Sequence, residues 1–253
     1  MPPVVAVVTT CFNQVNYIKN ILEAVTNQET EARVLHIIVD DDSRDGSYGV
    51  LREYEDSHDH VRVLRVTNRG GASAFNAGLM ALPDEVEYVV IIGGDDWFEN
   101  NFISECLSAI GDAHAVVPQM RRVTSPNIEG WEGSGVLRSE LPEIRNPTVE
   151  QLWEWNTTYA YGVAMFRREV LVEMGGYHPG VGGDYDWDLW IDFANRGYKF
   201  AYTDKTCFYY LYLPNSSCRT KTQAIWDQNR LEMRRHHRRK TLPGPEFNNW
   251  FDQ

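Results

Sequence analysis

Val86-Glu87-Tyr88-Val89-Val90-Ile91-Ile92-Gly93-Gly94-Asp95-Asp96 is the stretch on which the architecture turns. Its short run of mostly β-branched apolar residues stops abruptly in two glycines and two acids. That is how a strand buried on both faces reads. The same pattern occurs upstream, where Val34 to Val39 ends in Asp40-Asp41-Asp42. Val4 to Val8 and Val61 to Val66 complete four strand candidates. Between them Tyr17, Ile18, Ile21, Leu22 and Val25 recur at helical spacing, Val50, Leu51 and Tyr54 follow the second strand, and Gly70-Gly71 opens a helix before the fourth. This β-α-β-α-β-α-β order predicts an α/β fold, a Rossmann-like and mostly parallel sheet flanked by helices. Ligands of such sheets sit beyond the carboxyl ends of the strands. Acidic clusters at 40–42 and 95–96 fall on that edge together, which points to a cation or ligand site.

The second half is less regular. From about Arg121 to Pro147 the periodicity fails under Pro126, Gly130, Gly133, Gly135, Pro142 and Pro147, predicting a surface excursion suited to an acceptor-binding loop or lid. Tyr161 to Phe166 then reads as a strand, and Arg167 to Met174 as a short helix stopped by Gly175-Gly176. Asp184 to Asn195 has helical spacing of its large apolar residues. Lys199 to Thr203 and Thr206 to Leu213 read as two further strands.

Composition excludes several classes. The 253 residues are 43% hydrophobic and 24% charged, so disorder and fibrous repeats are ruled out. A formal net charge of -12 repels polyanions and disfavours general binding to DNA or anionic membranes. No apolar run approaches the roughly 20 residues of a membrane span, and no signal-peptide pattern opens the chain. Cys11, Cys106, Cys207 and Cys218 are far apart without metal-type spacing, so reduced thiols and a cytoplasmic location are expected. Only Arg230, Arg234, Arg235, Arg238, Arg239 and Lys240, with His236 and His237, break the acidic balance. They read either as a solvated last helix or as a patch for a phosphorylated acceptor, a nucleic acid or a partner protein.

Five segments in order carry a resemblance. Val7 to Asn13, Val39 to Ser47, Asn68 to Gly78, Gly94-Asp95-Asp96, and the pair Met174-Gly175-Gly176-Tyr177 with Asp186-Trp187-Asp188-Leu189-Trp190 resemble the motifs of family 2 glycosyltransferases. The resemblance spans about residues 4–100 and 160–200. It implies a GT-A fold with a small mixed C-terminal subregion, and an inverting transfer of sugar from a nucleotide diphosphate sugar, a UDP-sugar above all, using Mn2+ or Mg2+. It implies one domain over 1–253: a nucleotide-sugar-binding half at 1–118, an acceptor-binding and catalytic half at 119–218, and a helical extension at 219–253. Thr10, Cys11, Asn13, Asp41, Asn68, Gly70, Asn76, Gly94 and Asp95 would line the donor site.

The chemistry agrees with those assignments. Asp41 would accept a hydrogen bond from a uracil-type N–H; Asp42, Ser43 and Asp45 would otherwise cap the next helix. A diphosphate leaving group needs its charge neutralised, and a hard divalent cation on Asp95 and Asp96 would do so; the plain alternative is a helix capped before Trp97. Inverting transfer needs a carboxylate to take the acceptor proton. Asp186 matches the family's base, while Asp184 and Asp188, two residues away on a helix, point elsewhere. The chain departs from the family pattern at Gly93, Phe75, Tyr185 and Leu213, leaving Arg69, Arg219 or Lys221 as cationic substitutes near the diphosphate. Trp131, Trp153 and Trp155 would either stack on an acceptor or sit in the core. His36, His58, His60, His114 and His178 show no ligand spacing. The rivals are a sugar-phosphate nucleotidyltransferase, which residues 9–19 with only Lys19 do not favour, and an inert sugar-binding relative. The acceptor is left open between a saccharide, a lipid carrier, a protein and a modified nucleobase.

Overall fold

The computed structural model describes residues 1–123, 136–140, 147–154, 162–211 and 222–240. Among them, nine strands form one sheet. β1 (Val4–Cys11), β2 (Arg33–Asp40), β3 (Val61–Arg65) and β4 (Tyr88–Gly93) are parallel, in the order β3-β2-β1-β4. Three helices, α1 (Ile18–Thr26), α2 (Ser47–Ser57) and α3 (Gly71–Met80), make the crossovers expected between them. Apolar residues alternate across the sheet into two cores. Val5, Val7 and Ile38 pack with α1 on one face, and Ala6, Val8 and Ile37 with Phe75 on the other. At Gly78 α3 lies so close to β1 that an added Cβ would collide with Val8.

Beyond β4 the sheet turns mixed, as the second half of the sequence suggested. It continues through β8 (Ala164–Arg167), antiparallel to β4, then β6 (Ala115–Val123) and β9 (Phe200–Leu211), which run parallel to each other. A two-residue β5 (Trp97–Phe98) closes the edge against β9, and β7 (Val136–Glu140) pairs back onto β6. Two expectations change here, and one helix is added. The excursion read from Arg121 begins later, since β6 runs to Val123 and β7 belongs to the sheet; the rest of 121–147, apart from Pro147, lies outside the described residues. The two strands read at 199–203 and 206–213 are one strand. Its register jumps at Pro118, which has no N–H to give: Pro118 pairs with Thr203 and Gln119 with Cys207. Finally α4 (Phe102–Ile110), which precedes β6, buries Phe102, Ile103, Cys106 and Ile110.

After β7 come α5 (Val149–Glu154), α6 (Arg168–Met174), a 3-10 turn (Pro179–Asp184), α7 (Tyr185–Asn195) and α8 (Gln223–Lys240). The last helix is not simply solvated. Asn229, Met233 and His237 recur every four residues and are buried, and the helix packs on the Pro179–Asp184 turn. Gly182 of that turn (φ +63°) faces Asn229 Oδ1, 2.6 Å from where a Cβ would stand, so a side chain fits there neither by conformation nor by space.

One buried group makes the fold sensitive to acid. His36 is fully buried in β2 and shares a 2.9 Å hydrogen bond with Thr9 Oγ1. Burial, then the charge of His60, push its pKa down to about 3. An unfolded histidine titrates near 6.5. Between those values the unfolded chain takes a proton that the native chain refuses, so stability falls as pH drops, by about 1.4 kcal/mol per pH unit. Urea midpoints measured from pH 7 to pH 5 should therefore fall more steeply for the wild type than for His36→Gln. Equal slopes would assign the loss to other groups.

Candidate active site

The carboxyl ends of β1, β2 and β4 open side by side, and polar side chains tie their loops together. Ser43 Oγ accepts from the Asn13 amide (3.0 Å), Asn13 Oδ1 from the Arg44 amide (2.8 Å), and Ser47 Oγ from the Gln14 amide (2.8 Å). Asn13 and Asp42 pass through left-handed conformations (φ +54° and +63°), the short polar side chains that tolerate it best. Asp40, at the end of β2, holds the Ser43 amide and pairs with Arg65 at 3.4 Å. Asp45 accepts from the Ser47 hydroxyl and from the amides of Val15 and Ser47; burial opposes its ionisation, but these bonds, the hydroxyl's foremost, keep its carboxyl below the usual range. The capping alternative is thus fulfilled by Asp45, leaving Asp41 to other work.

Asp41 is buried, and its two carboxylate oxygens accept from the amides of Arg69 (3.1 Å) and Gly70 (3.0 Å). It thereby draws the Asn68–Gly71 turn onto the end of β2. Each oxygen keeps acceptor capacity for a further donor. Asn68, Arg69 and Gly70 themselves are exposed on this edge. Thr10 is half-buried, and its carbonyl accepts from the Gly94 amide at 2.9 Å, which fixes the β4 loop against β1. Cys11 is wholly buried and its pKa is raised to about 12, mainly by that burial, so it is a neutral thiol.

Asp95 and Asp96 do not cap a helix. The next element is the strand β5, and α4 starts only at Phe102. Asp96 is buried, and its Oδ1 accepts from the Leu211 amide at 3.0 Å. Its pKa lies well above the ordinary carboxylate value, because it is buried and because Asp95 sits beside it. Burial raises Asp95 as well, against a hydrogen bond from Gln14. Two neighbouring carboxylates that resist ionising together fit a divalent cation, which would supply the missing positive charge through hard oxygen ligands.

Asp186 belongs to the same edge. The pairing of β8 with β4 ends at Ile91↔Ala164, two residues after Gly162, and a Cβ built on Gly162 would stand 3.8 Å from Asp186 Cβ. On the other side the Tyr185 hydroxyl lies 2.6 Å from the same point on Gly71, next to the Gly70 that binds Asp41. Asp186 is half-buried in the first turn of α7, with Oδ1 accepting from the Trp187 amide at 2.9 Å. Asp184 and Asp188 are buried and engaged elsewhere: Asp184 accepts from Asn229 Nδ2 (2.8 Å), and Asp188 faces His236 and His237. The i±2 expectation therefore holds.

Other assignments shift in meaning. Asn76 binds the backbone of Tyr177 with both ends of its amide, each at 2.8 Å, and so joins the two halves of the molecule. Phe75 is buried and stacks on Tyr177 (centroids 5.3 Å apart), which explains why no charge stands there. Arg69 is exposed. Trp153 is half-buried against the core, edge-on to His237. Trp131, Trp155, Leu213, Arg219 and Lys221 lie outside the described residues. Two residues of the edge had gone unnoticed. Gln14 bonds Asp95, and Phe12 is 48% exposed just past β1, one residue after Cys11, whose carbonyl accepts from the Asp41 amide at 2.8 Å. Its cue was a large apolar residue one step past the buried end of a strand.

The sequence profile described as Glycosyl transferase family 2 matches residues 6–175, well over half of the chain. The chain belongs to glycosyl transferase family 2. EpsH of Bacillus subtilis (strain 168), a relative bearing a glycosyltransferase name, is 31% identical to this family 2 chain over 110 residues, which are 44% of the chain and 31% of EpsH. The S. aureus TarS 1–349 fragment in complex with UDP-GlcNAc superposes with a TM-score of 0.67 at 14% identity, over 90% of this chain and 64% of that one. The mannosyltransferase PcManGT of Pyrobaculum calidifontis, in complex with GDP-Man and Mn2+, gives 0.64 at 19% identity, over 97% and 67%. These superpositions establish the GT-A type of fold. The chain spans less than half the length of the curated relatives it matches, 16% of Streptococcus pneumoniae GlyA at the low end.

Proposed function

We propose that this family 2 chain is an inverting glycosyltransferase that moves a sugar from a nucleotide diphosphate sugar of the UDP type to an acceptor hydroxyl. The reading rests on the contacts that link the loops bearing Asp41, the Asp95–Asp96 pair and Asp186: Asp41 binds the Gly70 amide, Gly94 the Thr10 carbonyl, and Tyr185, the neighbour of Asp186, stands against Gly71. A donor nucleotide would lie across Thr10, Cys11, Asn13, Asp41, Asn68 and Gly70, with Gly94 and Asp95 toward its diphosphate. Asp95 and Asp96 would hold Mn2+ or Mg2+, which when bound supplies the charge that neutralises the departing diphosphate. Asp186 would take the proton of the attacking hydroxyl. The complexes of TarS with UDP-GlcNAc and of PcManGT with GDP-Man and Mn2+ favour such a donor and cation, although each speaks for its own protein.

The test is release of nucleoside diphosphate from a panel of UDP-, GDP- and dTDP-sugars, with saccharide, lipid-linked, peptide and nucleobase acceptors, with and without divalent cation. Transfer with inverted anomeric configuration supports the reading. Release of pyrophosphate from a nucleoside triphosphate and a sugar phosphate would replace it by nucleotidyl transfer, and donor binding without turnover by an inert binding module. Among the described residues no helix is long and apolar enough to cross a membrane.

Phe12 makes a narrower prediction. An exposed aromatic one residue past the Cys11 carbonyl that binds the Asp41 amide suits stacking of the nucleobase, worth about 1–3 kcal/mol by alanine substitution. Phe12→Ala should raise the donor KM by roughly ten- to a hundredfold, with kcat nearly unchanged. An unaltered KM would remove Phe12 from the donor site.

A further inference from the structure

His178 shows no ligand spacing in the sequence, yet the fold brings it to Asp188 and His236. One ligand atom from each of the three lies within 4.8 Å of the others, the arrangement a metal ion requires. The three come from separate elements: His178 precedes the Pro179–Asp184 turn, Asp188 is in the first turn of α7, and His236 is in α8. His236 Nδ1 stands 2.9 Å and 3.2 Å from the two oxygens of Asp188, and His237 Nε2 stands 3.0 Å from Oδ1. The rings of His178 and His236 are stacked, with centroids 3.7 Å apart. Asp188 is only 2% exposed. Burial alone would favour its neutral form, but the bonds from His236 and His237 outweigh it and hold the carboxyl below its usual range. The result is a buried anion with His236 and His237 on its oxygens and His178 stacked alongside.

We propose that His178, Asp188 and His236 form a binding site for a transition-metal dication of the zinc class, distinct from the cation site of Asp95 and Asp96. Two imidazole nitrogens and one carboxylate oxygen are a donor set that suits zinc, whereas the all-oxygen pair at the end of β4 suits Mg2+ or Mn2+. The ion takes the place of the proton between His236 Nδ1 and Asp188: one N–H bond is exchanged for one N–metal bond, and that proton moves to Nε2 of a neutral ring or, from an imidazolium that already carries both, to solvent. Ligand bonds of about 2.0–2.1 Å require the two groups to part by only a few tenths of an ångström. His237 holds the outer side of the carboxylate, as partners of metal ligands commonly do. Bound there, the ion ties α8 to the turn and to α7, two residues from Asp186.

The experiment uses the tag-free full chain, stripped by chelator, in the Asp95→Asn/Asp96→Asn background that silences the other site. Equilibrium dialysis against Zn2+ should retain one ion per chain, and zinc should raise the thermal midpoint. Co2+ should give the visible absorption of a four-coordinate nitrogen–oxygen site. His236→Ala should abolish retention, and His237→Ala should weaken affinity about 10- to 100-fold. No zinc retained by the double variant overturns the proposal, whether or not the histidine variants fold. So does zinc that survives His178→Ala and His236→Ala or departs with His58→Ala, which would mark a surface histidine site.

Discussion

Asp186→Asn is expected to lower sugar transfer by about a thousandfold while the donor still binds, since a positioned general base contributes on the order of 10²–10⁴. The size of the loss follows from what stands nearby. Asp184 is held by Asn229 and Asp188 by two histidines, so neither carboxylate is placed to take over the proton. Asparagine keeps the shape and can still accept from the Trp187 amide, as Asp186 Oδ1 does at 2.9 Å. Diphosphate release and donor affinity, measured by calorimetry on the same preparation, separate the two effects. Undiminished turnover in Asp186→Asn would move the base elsewhere, and loss of donor binding would recast Asp186 as a donor contact.

Replacing Asp96 should have an effect of similar size on turnover and the opposite sign on stability. Charge stabilisation at a leaving group is typically worth about 10²–10³ in rate for each ligand removed, so Asp95→Asn and Asp96→Asn should each bring transfer down by that much. Without cation, Asp96 is a buried acid whose pKa is pushed well up by burial and by Asp95. At neutral pH its ionisation works against the fold. The sign is that of a raised carboxylate: the cost is absent below the unfolded value near 3.9 and grows above it. Asparagine removes that cost, and its side-chain oxygen can still accept from the Leu211 amide. Urea midpoints in chelator at pH 7 should therefore rise in Asp96→Asn even as activity falls. A site that holds like charges in readiness for an ion is strained in this sense. A lower midpoint with unchanged activity would mean that Asp96 only anchors β9.

Much of the donor side was legible because its signals are local. A short β-branched run ending in acids, as at Val39-Asp40-Asp41 or Ile92 to Asp96, specifies a buried strand and what lies just past its end. The helical spacing of Tyr17 to Val25 gave α1 to within a residue or so. The far side was harder to read. Between Ala115 and Val123 a proline, a glutamine and two arginines interrupt the apolar run that marks a buried strand, and only pairing with β9 on one side and β8 on the other makes it one. The stripe of Asn229, Met233 and His237 was hidden among arginines, because one face of a charged helix can be apolar without changing its average character.

The strands of the donor half and the acids at their ends were therefore legible in the sequence alone, since each depends on neighbours within a few residues along the chain, while Asp186 was marked by the family resemblance. Tertiary structure alone decided which acids remain at that edge and which are drawn away. Asp41 took the amides of Arg69 and Gly70, 28 and 29 residues on, and Asp188 took its histidine 48 residues on. Hydrogen bonding and charge act over ångströms in space, and no periodicity along a chain records which distant groups folding will bring that close.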